Sequence, residues 1–397
     1  MAGLYIHIPF CKSRCIYCGF YSTVLLKERE QYTDALCREM EARPAITALG
    51  ANYPIRTIYL GGGTPSMLTR EQLIKLFQGI EKNYAHFFPA SSNCKNPYEG
   101  MEITMECNPD DVDEDFCETL RLLPINRISM GAQTFDNHRL EFLHRRHKAK
   151  DVKNAVRQLR AIGIQNISID LMFGFPHETL ADWEKDLTEA ICLGVEHLSA
   201  YSLMYEEGTA LYKMLEAGKV AEIDEETSRK MYDTLIDQLT AAGYEHYEIS
   251  NFAKPGYRSR HNSSYWHEEP YIGLGAAAHS YHRGKEVKRS WNIEKISEYT
   301  QYYNQPKTSQ ISSICGSETL DAVEQYNDLI TTALRTKDGI DLAHVRKEFG
   351  PEKADQMLQE AKIHINRGLM QIQDEHLSLT REGLYISDDV MSDFILV

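Results

Sequence analysis

The chain has 397 residues, with 43 Lys+Arg against 58 Asp+Glu and a formal net charge of -15. At one domain per roughly 150 residues, two or three domains are expected, with core enough to fold without disulfide or metal staples. The acidity excludes a general phosphate-backbone binder, so no nucleic acid is expected as a partner, and 42% hydrophobic with 25% charged residues excludes a mainly disordered chain.

In chain order, Leu4 to Ile8 reads as a first strand. The start has no basic n-region and no cleavage site, so a cytoplasmic protein is expected. No apolar run reaches the ~18 residues that span a bilayer, and peripheral membrane association stays open. The loop Cys11-x3-Cys15-x2-Cys18 follows. A helix is expected over Glu28 to Glu41, then a strand at Arg56 to Leu60 running into Gly61-Gly62-Gly63-Thr64. Thr69 and Gln72 form a capping-box pattern ahead of a helix over Arg70 to Asn83. Ser91 to Gly100 reads as a surface insertion. Strands are expected at Ile103 to Glu106, Arg127 to Met130, Ile167 to Leu171 and His197 to Tyr201, with helices between, among them Ala149 to Ile162 and Leu180 to Cys192.

Six βα units imply a parallel sheet, either open and doubly wound or curved into a barrel. Gln305 to Gly316 marks a domain boundary, giving a first domain over 1–310, with its core in about 1–240, and a second over 311–397. Helices over Glu318 to Thr336 and Pro351 to Asn366, a hairpin of Met370 to Ile372 with His376 to Leu379, and a last helix from Arg381 to Ile386 give a small helical, winged-helix-like module. It has no basic recognition helix.

Of the nine cysteines, six are scattered, so a disulfide framework is not expected. Three thiolates in one loop suit a soft metal centre. A zinc site wants a fourth ligand at matching spacing, and none follows. An iron–sulfur cube on three cysteines leaves one iron open to a chelating ligand. An ordinary cysteine-rich turn is the bland alternative. The triple glycine admits close backbone approach to a ligand, or is simply a tight turn. Glu106, Gln133 and Asp170 fall at strand ends and Arg145 in a following segment. In an open sheet or a barrel alike, that edge binds ligands.

The cysteine spacing, with Tyr17 before the last cysteine and the glycines about forty residues on, resembles the radical S-adenosylmethionine (SAM) superfamily. The spacings of Glu106, Gln133, Arg145 and Asp170, and Leu379-Thr380-Arg381-Glu382-Gly383-Leu384 near the end, resemble its oxygen-independent coproporphyrinogen III oxidase-like family. That resemblance covers nearly the whole chain. It implies an α/β fold with a six-stranded partial (β/α) barrel. It also implies a [4Fe–4S] cluster on Cys11, Cys15 and Cys18, and SAM held by Tyr5, Tyr17, Gly62, Gly63, Thr64, Glu106, Gln133, Arg145 and Asp170. His279, in Gly273 to Ser280, is carried over as one more SAM contact.

The family divides. Its decarboxylating members carry an extension before the cluster and a fourth cysteine two positions after the third. Here ten residues precede Cys11 and Phe20 holds that position. His261-Asn262-Ser263-Ser264-Tyr265-Trp266 matches H-N-x-x-Y-W, which marks the haem chaperone branch. That match implies haem bound through His261, Asn262, Tyr265 and Trp266, with a neutral imidazole as iron ligand and aromatic faces on the porphyrin. His267 is the alternative ligand. The leading expectation is a haem chaperone that passes haem to acceptor haemoproteins, such as respiratory enzymes at the membrane, with a homodimer left open. Its rival is a radical SAM coproporphyrinogen III dehydrogenase, acting by oxidative decarboxylation in porphyrin biosynthesis.

Overall fold

In six successive strands, apolar and polar residues alternate, and that alternation builds the fold. Leu4, Ile6 and Ile8 interleave with Tyr5 and His7, and Ile128, Met130 and Ala132 with Arg127, Ser129 and Gly131. Successive strand residues point to opposite faces, so one face of each strand is apolar and the other polar. In the computed structural model, which describes residues 2–43, 53–89, 96–305 and 314–396, the apolar faces pack against the helices in one continuous core. Burying each Leu or Ile there contributes about 1.5–3 kcal/mol. The polar faces turn together onto a lumen.

These strands are β1 (Ala2–Ile8), β2 (Ile55–Gly62), β3 (Glu102–Cys107), β4 (Arg127–Gln133), β5 (Asn166–Phe173) and β6 (His197–Ser202). They pair in chain order and all in parallel. The helices Arg70–Tyr84, Ala149–Ala161 and Leu180–Leu193 lie close to their expected bounds. Thr69 and Gln72 close the expected capping box. The result is the expected partial (β/α) barrel.

Both sheet edges extend further than sequence periodicity indicates. β7 (Glu245–Glu248) and β8 (Asn251–Ala253) add antiparallel strands beside β6. On the other side β9 (Tyr271–Leu274) pairs parallel with β1. β10 (His279–Arg283), β11 (Val287–Asn292) and β12 (Ile314–Thr319) continue outward, antiparallel. Among the described residues the sheet is thereby twelve-stranded. Behind it, Glu39 and Arg43 form a fully packed ion pair of 2.9 Å. Glu39 also accepts from Tyr299 Oη (2.6 Å), Gly275 N (2.8 Å) and Asn292 Nδ2 (2.6 Å). Arg43 donates to Gly273 O (2.8 Å) and Ser280 Oγ (3.1 Å). These bonds fix the first helix, Arg29–Ala42, to the β9–β11 flank.

The helix Arg260–Trp266 lies across the end of the barrel where the strands begin. The Glu102 carboxylate accepts from the Arg260 and His261 backbone N–H groups (3.0 and 2.9 Å), an anion at a helix N-terminus. This helix plugs the lumen.

The expected helix over Glu318 to Thr336 is a correction. Residues up to Thr319 are β12, because β11 needs an outer partner, and the helix runs Ala322–Ala333. Asp321 sets its start, accepting from Val323 N and Glu324 N (2.8 and 2.9 Å). Sheet pairing therefore runs past residue 311. Beyond it, Tyr326, Ile330, Met357, Leu377 and Phe394 share a separate core. The helix Pro351–Asn366 stands as expected, and β14 (Met370–Gln373) with β15 (His376–Leu379) forms the hairpin, joined by β13 (Ile340–Asp341). The helix expected from Arg381 to Ile386 ends at Leu384, and a further short helix, Ser387–Ser392, follows it. Residues 91–95 of the Ser91 to Gly100 insertion and 306–313 of the 305–316 boundary lie outside the described residues. Among the described residues no helix is long and apolar enough to cross a membrane.

Candidate functional site

The three cysteines lie on the loop after β1. Ile16 anchors that loop, 6% exposed, in a small apolar cluster with Leu143, Met172, Phe175, Leu203 and Leu211. Backbone bonds hold it from both sides, Cys11 N to Thr23 O (2.8 Å) and Ile16 N to Leu143 O (3.3 Å). Cys11, Cys15 and Cys18 line one end of a cavity of about 520 Å³. Tyr17, Gly62, Gly63, Thr64, Glu106, Gln133, Arg145 and Asp170 line the same cavity. Residues from six segments of the sequence thus converge.

Gly62 and Gly63 are confined for steric reasons and also line the cavity. Gly62 has φ 110°, and a Cβ there would lie 2.4 Å from the His7 ring. A Cβ on Gly63 would lie 2.8–2.9 Å from backbone atoms of Pro9 and Phe10, which cannot swing aside. The tight turn and the ligand cradle are therefore the same object.

Glu106 accepts from the Tyr59 hydroxyl (2.7 Å) and from Gly62 N (3.1 Å). Burial still dominates and pushes its carboxyl up to about 7. Burial likewise pushes Asp170 up to about 6, against a hydrogen bond from Ser199. Arg145 donates to Gly131 O (2.6 Å), Asn108 Oδ1 (2.7 Å) and Cys15 Sγ (3.5 Å). Asn108 reaches Thr64 Oγ1 (3.4 Å), which contacts Cys11 Sγ (3.6 Å). One guanidinium thereby links two of the three thiols. Gln133 sits at a bulge with φ 65°. Burial pushes the Cys11 and Cys18 thiols up, so a cation or metal must supply the drive to thiolate.

Two of the nominated SAM contacts fall outside the cavity wall. The Tyr5 hydroxyl is taken by His7 Nδ1 (2.9 Å), and Tyr5 stacks behind Tyr59, with ring centroids 6.2 Å apart. His279 is exposed on β10, 6.2 Å from the Trp291 ring. The haem motif departs further from expectation. His261 is 1% exposed. Its Nδ1 is bonded to Thr57 Oγ1 (2.8 Å) and its Nε2 to Tyr265 Oη (2.9 Å). Neither nitrogen is open to an iron. Its ring stacks on Tyr59 at 5.0 Å, and burial lowers it to about 3, so it is neutral. The Arg335 guanidinium covers Trp266 at 4.9 Å. Of the motif residues, Asn262 alone lines the cavity. His267 differs. It is exposed, and its Nδ1–H donates to Ser263 O (2.7 Å), leaving Nε2 free.

Sequence reading passed over Tyr59, Asn108, Arg127, Ser129 and Ser199, all of which line the cavity. The period-2 alternation of polar residues was the signal that could have found them.

The radical SAM superfamily model matches residues 5–190, and the HemN C-terminal domain model matches residues 320–386. The heme chaperone HemW of Bacillus subtilis is 33% identical over 401 residues, covering 100% of this chain and 99% of that protein. The chain belongs to the HemW family of the radical SAM superfamily. The HemW of Synechocystis is 37% identical over 72% of this chain and 67% of that relative. The fold is also that of the Escherichia coli coproporphyrinogen III oxidase HemN, at a TM-score of 0.80 and 21% identity, over 99% of this chain and 89% of that one.

Membership of the superfamily implies a [4Fe–4S] cluster and SAM. Among the described residues no three His, Cys, Asp or Glu side chains converge to hold one ion. Three thiols at one end of the cavity suit a larger group than a single ion, and the Gly62–Gly63 cradle and the Arg145 guanidinium suit a zwitterionic ligand beside it.

The two raised carboxyls set a pH dependence. Glu106 ordinarily ionises near 4.5 and here near 7, so the folded chain holds its proton more tightly than the unfolded chain. Stability of the ligand-free protein therefore falls as pH rises through that window, by about 3 kcal/mol for Glu106 alone. The penalty is absent below 4.5 and complete above about 7. Denaturant titrations at about pH 5 and about pH 8 should show a smaller loss in Glu106→Gln than in wild type. Equal losses in both would refute the assignment.

Proposed function

We propose that the chain is a haem chaperone. The observation that carries this reading is the end-to-end likeness to the heme chaperone HemW of Bacillus subtilis. The position of Phe20, 71% exposed at the cavity lip where the decarboxylating family members carry a cysteine, supports it.

In this reading Cys11, Cys15 and Cys18 hold the cluster. Gly62, Gly63, Thr64, Glu106, Gln133, Arg145 and Asp170 hold SAM, and Tyr17 packs beside it. When bound, the cluster would supply an open iron for the methionine end of SAM to chelate. The chain's own residues orient the groups. Tyr59 fixes the Glu106 carboxylate, and Asn108 fixes the Arg145 fork. His267 is the haem ligand in place of His261, since a ligating imidazole commonly donates its other N–H to a carbonyl. His261 seats the plug helix. Acceptor haemoproteins are the partners.

The test mixes haem-loaded, cluster-reconstituted protein with an apo-haemoprotein and follows the acceptor's spectrum. Haem transfer is expected, with no carbon dioxide released from coproporphyrinogen III in the presence of SAM. Robust decarboxylation without transfer would overturn the reading.

A further inference from the structure

The cavity continues below the strand edge. Its wall runs from Cys11 and Cys18 at one end to Asn262 of the plug helix at the other. Arg127 enters this wall from β4, early in the strand. It is 1% exposed, and its Nε and Nη1 have no hydrogen-bond partner among the described residues. Beside it in register on β3 stands Thr104, fully buried, whose Oγ1 is also without a partner. Ser129, two residues along β4, and Asn262 of the plug helix line the same cavity.

The acids nearest in the wall do not complete Arg127. Glu106 is engaged by Tyr59 and Gly62, and Asp170 by Ser199. Neither forms an ion pair with Arg127 among the described residues. A buried guanidinium is expected to be paired. Its natural complement is an oxyanion brought by a ligand. Glu106 and Asp170, on the two strands flanking β4, repel a dianion more than a monoanion, which favours a carboxylate over a phosphate.

We propose that Arg127, with Ser129 and Asn262, forms an internal subsite for a carboxylate arm of the ligand that fills this cavity. The inference rests on the cavity being a ligand site and not on the haem reading. It gives Asn262 of the motif a direct role, hydrogen bonding to the same arm from the plug. The propionate of a tetrapyrrole has this chemistry; the methionine carboxylate of SAM lies, in the chaperone reading, at the cysteine end of the cavity.

Calorimetry of the cluster-reconstituted full chain with sodium propionate, against sodium chloride at equal ionic strength, tests it. Saturable one-site binding is expected, weakened at least about tenfold in Arg127→Met. Asn262→Leu should weaken it in the same direction. No saturable binding to wild type, or equal affinity in Arg127→Met, overturns the proposal. If Arg127→Met does not fold, unchanged affinity in both Asn262→Leu and Ser129→Val overturns it instead. Haem should lose more affinity than its dimethyl ester in Arg127→Met, and an equal loss overturns a propionate as the arm. Propionate binding that persists when haem transfer fails separates this inference from the chaperone reading.

Discussion

Replacing Cys15 by serine is expected to leave a folded protein that no longer acquires an iron–sulfur chromophore. Cys15 is only partly exposed and points at the cavity, where its sulfur accepts from Arg145. The fold around it depends on Ile16 and its apolar neighbours, not on the sulfur, so stability should shift by less than about 1 kcal/mol. A soft iron centre held by three thiolates has no spare ligand. After anaerobic reconstitution, iron and sulfide content should fall to about a tenth of wild type or less. SAM affinity should fall with it, because the iron it would chelate is gone. A variant that reconstitutes to wild-type iron content would show that the loop is an ordinary turn.

The second large effect separates two histidines six residues apart. His267→Ala is expected to weaken haem binding at least about tenfold and to abolish the Soret shift, with little change in stability. His261→Ala should do the reverse. It removes a buried imidazole that bridges Thr57 and Tyr265 and stacks on Tyr59, costing about 2–4 kcal/mol through cavity and lost hydrogen bonds. Its haem spectrum should persist while it remains folded. A folded His261→Ala that loses the Soret shift, with His267→Ala retaining it, would reverse the assignment and require the plug to open.

How legible the protein was in its sequence follows from how local each signal is. The cysteine loop, the glycine turn and the Thr69 capping box are short-range, and the structure has them where the residues indicate. Strand positions were also legible, since β-branched and apolar residues mark them. Their faces were missed, because attention to apolar runs obscures polar residues at every second position. Arg127 and Ser129 stand in a segment that looks like a core strand, and one of its faces is not core. The misplaced helix start near Glu318 has a different cause. Residues 314–319 become strand through pairing with β11, a tertiary demand that overrides local preference. His261 is the sharpest case. A motif names the residue, but only the packing of its helix against the barrel shows that both nitrogens are used.

The Glu39–Arg43 pair carries a consequence for the order in which the chain is made. Both residues leave the ribosome early, on the first helix. Their partners Gly273, Gly275, Ser280, Asn292 and Tyr299 follow more than two hundred residues later. β1 likewise waits for β9 on its outer edge. Closing so long a loop is slow, and until it closes the nascent barrel exposes an unpaired strand edge and an unmatched charged pair. An N-terminal stretch ending before β9 is therefore an incomplete folding unit that invites aggregation, and the vulnerable interval in the cell lasts until about residue 299 has emerged.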